Sequence, residues 1–291
     1  MALPKQVWTN QIMEGFYPDS SFLMYARDFT SHVDNDIINM AEAGVDPVVL
    51  INNNTYPIAV VQRTDAPIAI ELDKFETENT LVRRPDVVEL AYEKLESVLV
   101  GHRNALRTKT GEKAAHAFAP SADSTFTPIV PTTGGDDGDG LKQIQFANIL
   151  TLKRKFDDLE IPKEKRFLVM NPKHVEQLIL SDLETFKNLT DFVNGKPNTF
   201  AGFRMLEYSR NPKYNRTDFT KVAFGAAPDA NDTYCSFAFS SDEVMKADGN
   251  IYLYERRDDP EERATIVGFD KRFIALPIRN KAIGAIVAAA V

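Results

Sequence analysis

The sequence predicts an α+β fold, and three observations carry that prediction. From Pro67 to Asp73 apolar and polar residues alternate with a period of two, the mark of a half-buried strand. From Asp86 onward apolar residues recur at helical spacing as far as Leu106. Beyond Gly202 the chain becomes β-rich, with short runs of β-branched and aromatic residues separated by turn residues. A chain of 291 residues buries about three quarters of its unfolded surface, so it needs neither disulfides nor metals for stability.

Composition removes several function classes. The chain is 43% hydrophobic and 26% charged, as globular proteins are. A formal net charge of -8 argues against tight wrapping of nucleic acid or of an anionic membrane. Cys235 is the only cysteine, so no intramolecular disulfide forms, and a small buried residue on a strand is expected there. The longest apolar run, "AIGAIVAAAV", is too short to span a bilayer. The start, "MALPKQVWTNQIMEGF", lacks an apolar core behind a basic end, so synthesis in the cytoplasm is expected.

Met1 to Asp28 has no period but holds Trp8, Phe16, Tyr17, Phe22 and Tyr25. Disordered tails are poor in aromatics, so this segment reads as an extended arm docked on a surface. Val33, Ile37, Met40 and Ala41 then predict a short helix, stopped at Gly44. "VDPVVLINNNTYPIAVVQR" reads as extended chain broken by Pro47 and Pro57. Its end, Pro57 to Arg63, is expected to pair with Pro67–Asp73 across "TDAP" as a two-stranded ribbon. The continuation "ELDKFETEN" sets Glu71, Asp73, Glu76 and Glu78 against Lys74 alone. An isolated ribbon is marginal in water, so it calls for a partner surface, in another subunit.

Asp86 and Glu89 form a D-x-x-E capping box for the helix that follows. Val88, Ala91, Tyr92, Leu95, Val98, Leu99, His102 and Leu106 share its apolar stripe, and Arg103 and Arg107 suit its C-terminal dipole. Its predicted length is about 30 Å. The Pro-, Gly- and Thr-rich stretch Ala119 to Gly140 reads as a loop. A second helix is predicted over "LKQIQFANILTLKRKFDDLEI", then a strand and helix in "KRFLVMNPKHVEQLILSDLETF". Strands are predicted in "GFRMLEYS", "KVAFGAAP", "YCSFAFS", "NIYLYERR", "RATIVGFDKRFIALPIR" and "KAIGAIVAA".

Motifs for chemistry fail on spacing. "GGDDGDG" breaks the calcium-loop pattern and has no bidentate Glu at the required distance. His32, His102, His116 and His174 stand singly, without a second ligand at metal spacing, and His102 falls on the helix stripe as a satisfied, partly buried residue. No nucleophile elbow, phosphate loop or dinucleotide fingerprint occurs. The acids Asp258, Asp259, Glu261 and Glu262 flank Pro260 as a solvated turn. No catalytic, metal or cofactor residue is assigned, and no cofactor is expected.

The order of elements resembles the major capsid proteins of tailed bacteriophages, the Hong Kong 97-type capsid fold. Two stretches carry the likeness locally: "FDDLEIPKEKRFLVMNPKHVEQLI", with its helix, turn, R-x-L-V-x-x-P strand and helix, and the end "FDKRFIALPIRNKAIGAIVA". The resemblance implies an N-terminal arm with a short helix over 1–45 and an extended β-ribbon loop over 46–85. It implies a peripheral domain with a spine helix over 86–165, an axial domain over 166–240, and a return to the peripheral domain over 241–291. It further implies self-assembly through hexamers and pentamers into a virion shell, with a portal and weak, non-specific contact to double-stranded DNA, and no membrane. Because Met1 runs almost at once into the arm, a scaffolding protein is expected to be a separate chain. Arm residues Trp8, Phe16 and Tyr17 are expected at subunit contacts. So is the acidic ribbon tip, Glu71, Asp73, Glu76 and Glu78, against Arg83, Arg84, Arg256 and Arg257. Some relatives join a loop Lys to a neighbour's Asn; Lys74, with Asn250 or Asn280, has the right kind of loop, though an ordinary surface Lys is expected. An encapsulin-like nanocompartment shell shares the fold, and a two-domain α/β enzyme with a site between its halves is the alternative from another class.

Overall fold

From Arg84 to Phe118 the chain runs as one helix, α1, which at 1.5 Å per residue is about 52 Å long. The computed structural model describes residues 22–42, 66–181, 190–191, 196–197, 199–262 and 264–291. Three short strands lead in: β1 (Arg27–Asp28), β2 (Val33–Asp34) and β3 (Ile37–Glu42). Before α1 come β4 (Ala66–Glu71), β5 (Asp73–Glu76) and β6 (Thr80–Arg83). After it follow β7 (Ile129–Pro131), α2 (Phe146–Asp158), β8 (Arg166–Met170) and α3 (Pro172–Ser181). The short β9 (Thr190–Asp191), β10 (Lys196–Pro197) and β11 (Thr199–Phe200) precede β12 (Phe203–Glu207) and β13 (Lys213–Asn215). The chain closes with β14 (Asp232–Ser240), β15 (Val244–Asp259), β16 (Ala264–Pro277) and β17 (Ile283–Val287).

The central sheet has the order β11-β12-β8-β14-β17-β7, with β13 added on β14. Strands β8 and β17 are buried at every position because both faces of this sheet are covered, which explains their unbroken apolar runs. One face carries Phe167, Val169, Phe237 and Phe239 against Phe118 of α1. The other sets Leu168, Ala238 and Ile286 against Ile149, Leu152 and Phe156 of α2. Gly284 lets α2 come this close: a Cβ there would lie 2.9 Å from the Phe156 ring and 3.0 Å from Leu152. The buried Arg166 guanidinium closes the end of α2, donating to the Ile161 carbonyl and to Asp157 at 2.7 Å.

A second sheet, β1-β15-β16-β5 with β6 also on β16, packs under α1. Of the predicted stripe's positions whose burial is described, Leu99, His102 and Leu106 are buried and Val98 is half-buried. Cys235 is a buried strand residue, as expected. No helix among the described residues is long and apolar enough to cross a membrane.

Several expectations need correction, among them the loop expected over Ala119 to Gly140, which contains β7. The predicted short helix is a hairpin: Asn35 and Asp36 have φ of 50° and 63°, the left-handed turn that joins β2 to β3. The ribbon pairs β3 with β4, Ile38 opposite Ile70, rather than Pro57–Arg63 with Pro67–Asp73; Pro57–Arg63 lies outside the described residues. Helix α1 begins at Arg84, so Asp86 sits in its first turn, and it continues past Arg107. Its end is met instead by Lys221, whose amine donates to the carbonyls of His116 (2.8 Å) and Ala119 (2.7 Å). "KVAFGAAP" forms no strand: Lys221 makes one isolated bridge to Tyr214, then Gly225 at φ 78° turns the chain away.

Candidate assembly interface

The arm enters the described region already anchored. Phe22 lies edge-on to Phe237 at 5.5 Å and to Tyr208 at 5.2 Å, and Tyr25 stacks on Phe167 at 4.4 Å. Both therefore dock on their own chain. Trp8, Phe16 and Tyr17 lie outside the described residues.

The ribbon is rooted on a small cluster of its own. Ile38 and Leu72 pack with Met245, Ala247 and Ile274, the Leu72 amide donates to the Asp36 carbonyl at 3.0 Å, and Arg272 lies 3.7 Å from the Asp36 carboxylate. From this root β3 and β4 continue as a pair to Glu42 and Ala66, and the chain between them is outside the described residues.

Of the acids expected at the ribbon tip, Glu71 and Asp73 sit at this root and Glu76 and Glu78 lie beyond it, along β5 and the link to β6. Glu71 is the exposed last residue of β4. Asp73, Lys74 and Glu76 lie on β5, which pairs with β16 of the same chain, Asp73 opposite Phe273 and Glu76 opposite Asp270. Lys74 bridges Glu76 at 2.5 Å and Asp270 at 3.5 Å, and these hydrogen bonds raise the pKa of its amine. Asp73 is 3.8 Å from Lys113 of α1, and Glu78 is exposed on the link to β6. Local alternation could not show this, because the partner strand lies almost two hundred residues further on.

Arg83 ends β6 and Arg84 opens α1. Arg256 pairs with Asp259, and Arg257 with Glu255 at 2.5 Å. Asp259 is consequently buried at the end of β15 rather than part of a solvated turn, whereas Glu261 is exposed. The sequence-predicted residues thus divide into the ribbon root with β5 and its link to β6, the start of α1 and the far end of β15.

A groove of about 640 Å³ runs between α1 and residues 74–80, lined by Phe75, Thr77, Val98, His102, Leu106 and Phe224. His102 is buried there with Nε2 3.1 Å from the Thr80 hydroxyl, and burial lowers its pKa. The sequence placed His102 on the helix stripe but gave no signal of the groove, which needs the β5–β6 link to fold over the helix.

One pair looks catalytic at first sight. His174 Nδ1 lies 2.6 Å from the Ser236 hydroxyl, which also accepts the Asn171 amide at 3.0 Å. Both side chains are fully buried, and burial holds His174 neutral with its pKa pushed down to about 3. An imidazole without access to substrate serves as an interior hydrogen-bond partner, linking α3 to β14. Among the described residues no group of His, Cys, Asp or Glu is placed to hold a metal.

No known family model and no curated protein matches the sequence. Solved structures do match, along nearly the whole chain. The capsid structure of the cyanophage P-SCSP1u is 16% identical, covers 92% of this chain and 87% of its own, and superposes with a TM-score of 0.65. The capsid of Ralstonia phage GP4 is 9% identical over 96% and 91%, with a TM-score of 0.64. A virus-like particle from Pyrococcus furiosus is 10% identical over 97% and 98%, at 0.54. The fold is that of phage capsid subunits. It is the Hong Kong 97-type, a mixed helix and sheet fold.

Proposed function

We propose that this protein is the major capsid protein of a tailed bacteriophage, a structural subunit that self-assembles into the icosahedral shell around a double-stranded DNA genome. The observation that carries this reading is the capsid fold extending over more than nine tenths of the chain. A ribbon rooted on only a small cluster of its own is the physical counterpart, since such a strand pair gains stability from a neighbour. Heterologous contacts of this kind close into rings, here hexamers and pentamers. The division into arm, ribbon, peripheral domain, axial domain and C-terminal return follows the same reading. So do a separate scaffolding protein, a portal, and assembly in the host cytoplasm. The net charge of -8 suits a lining that touches DNA weakly and releases it.

In this reading Trp8, Phe16 and Tyr17 of the arm, the acids at and beyond the ribbon root, and Arg83, Arg84, Arg256 and Arg257 contribute to subunit contacts. Lys74 serves as an ion-paired residue rather than a cross-linking nucleophile, because its pairing favours the protonated amine. Purified protein viewed by negative-stain microscopy should show hollow shells with five- and six-fold capsomers. A stable monomer under all assembly conditions would overturn the proposal. A shell enclosing a protein cargo is the second reading, favoured by the likeness to the Pyrococcus furiosus virus-like particle. Nucleic acid rather than a cargo enzyme inside native particles separates the two.

A further inference from the structure

The second sheet has two edges of different character. On one, β5 and β6 each cover part of β16, and both are tied to α1. On the other, β1 covers only Met245 and Lys246 of β15, and the Thr30 hydroxyl accepts the Asp248 amide at 3.1 Å. From Ile251 to Arg256 nothing among the described residues pairs with β15 on the side away from β16. This stretch is bounded by register shifts at Asp248/Ile251 and Arg256/Asp259 and measures about 20 Å. Along it Leu253 points into the core, while Tyr252 and Tyr254 are 45% and 57% exposed and the Arg256 side chain is 62% exposed. Neither Pro nor Lys interrupts it, and the bulges that guard the edge lie at its two ends.

We infer that this edge pairs with the same edge of a second copy of the chain, antiparallel about a two-fold axis through Tyr254. The inference rests on the shell reading for its setting, not for its geometry. A two-fold normal to the sheet keeps the helix-covered face of both copies on one side, so outward residues oppose outward residues. With the axis at Tyr254, the two Tyr254 rings meet and Tyr252 faces Arg256 of the second copy. Aromatic pairs and an Arg over a Tyr ring both favour such a contact. Moving the axis to Arg256 or Glu255 sets like charges against each other, and moving it to Leu253 carries Arg256 onto Asn250 inside the irregularity. The bulges at both ends therefore select one register, and the edge is completed by a copy of itself rather than by an arbitrary strand.

Cysteine pairing tests this directly, because Cys235 is fully buried and gives a silent background. Directly opposed residues in an antiparallel pair have Cβ atoms about 5 Å apart, close enough for a disulfide. In oxidised particles Tyr254→Cys should shift the band from the 32.6 kDa monomer to the dimer on non-reducing gels. Arg256→Cys alone should not, since its two copies lie about 13 Å apart along the strands. The double variant Tyr252→Cys/Arg256→Cys should shift again. Intact particles in which Tyr254→Cys gives no more dimer than Arg256→Cys overturn the inference. If the chain forms no particles, the shell reading fails on its own. Oxidation of the concentrated soluble protein then decides: dimer from Tyr254→Cys upholds the edge pairing, and its absence ends it. Circular dichroism of each variant confirms that the fold is retained. Tyr252→Lys/Tyr254→Lys, which alters only exposed side chains, should lower dimer or particle yield.

Discussion

The central sheet and the sheet beneath α1 use the same chain in opposite ways. In the central sheet α2 covers one face, α1 and the arm cover the other, and β8 and β17 are buried throughout. In the second sheet part of one edge of β15 is unpaired among the described residues, the ribbon is rooted beside it, and charged groups such as Lys271 and Asp270 lie buried. The first is complete within one subunit. The second is stable enough to fold yet leaves backbone and aromatic surface for others to cover. The proposed role as a shell subunit would use both: a rigid body, and margins that gain from neighbours.

The largest effect should come from the arm's anchor. Deleting residues through Asp28 removes Phe22, Leu23 and Ala26 from the core together with β1. A buried Phe alone is worth about 3–5 kcal/mol, so this truncation should lose cooperative unfolding in urea. Truncation ending before Phe22 should keep a folded monomer and forfeit shells. Shells of normal yield from that shorter truncation would remove the arm from assembly.

Phe239→Ala comes next. The ring is fully buried beside Phe118, Phe167 and Phe237, so a loss of about 3–5 kcal/mol is expected from the urea midpoint, with assembly failing only through instability. Tyr252→Ala on that edge of β15 should change monomer stability by roughly 0.5 kcal/mol or less while reducing assembly. Equal monomer losses from the two would erase the distinction between the sheets.

Lys271 offers a pH readout of the second sheet. Burial lowers its pKa to about 8, opposed by its pair with Asp248. The unfolded chain titrates near the ordinary 10.5, so between these values it holds more protons than the folded one. Stability from this group therefore rises with pH from about 8 towards 10 and is lost as pH falls back through 8. Lys271→Met should flatten that rise in urea melts, leaving the share of Lys221, which burial also lowers to about 8. An unchanged slope would show that Lys271 is already solvated.

The smallest effect on the monomer belongs to the exposed acids beyond the ribbon root. Glu76→Lys/Glu78→Lys breaks a surface pair with Lys74 that solvent screens, so circular dichroism and melting should barely change. Assembly should slow, and the difference from the parent should shrink at high salt, where screening cuts charge steering. Normal assembly with the parent's salt dependence would show that apolar contacts alone hold the ribbon.

Much of this was legible in the sequence where packing and period agree. The strand–Pro–helix of Arg166 to Ser181, the β-rich end and the buried face of α1 follow local patterns that tertiary structure respects. The region around Val33 to Ala41 did not, because its apolar spacing fits a helix as well as a strand. Asn35-Asp36 held the deciding information: both residues tolerate positive φ, and a hairpin turn needs it twice. The length of α1 was hidden by Thr108, Thr110 and Gly111, weak helix formers carried along by packing and by the Lys221 cap. For the candidate interface the sequence supplied residue types but not addresses. Asp73 and Glu76 read as free acids because nothing local reveals that β16 lies beside them.

The position of β17 has a consequence for how new chains mature. It lies inside the central sheet, hydrogen-bonded to β14 on one side and to β7 on the other. Among the described residues strand β7 therefore has no strand partner until residues 283–287 have been synthesised, more than 150 positions later. Such distant pairings close slowly, because a long loop must be ordered before any contact rewards it. A partly translated chain can form α1 and α2 but cannot close its central sheet. The timing separates translation from completion: a chain still on the ribosome has no finished central sheet, and so, in the proposed shell role, no finished body to offer a lattice.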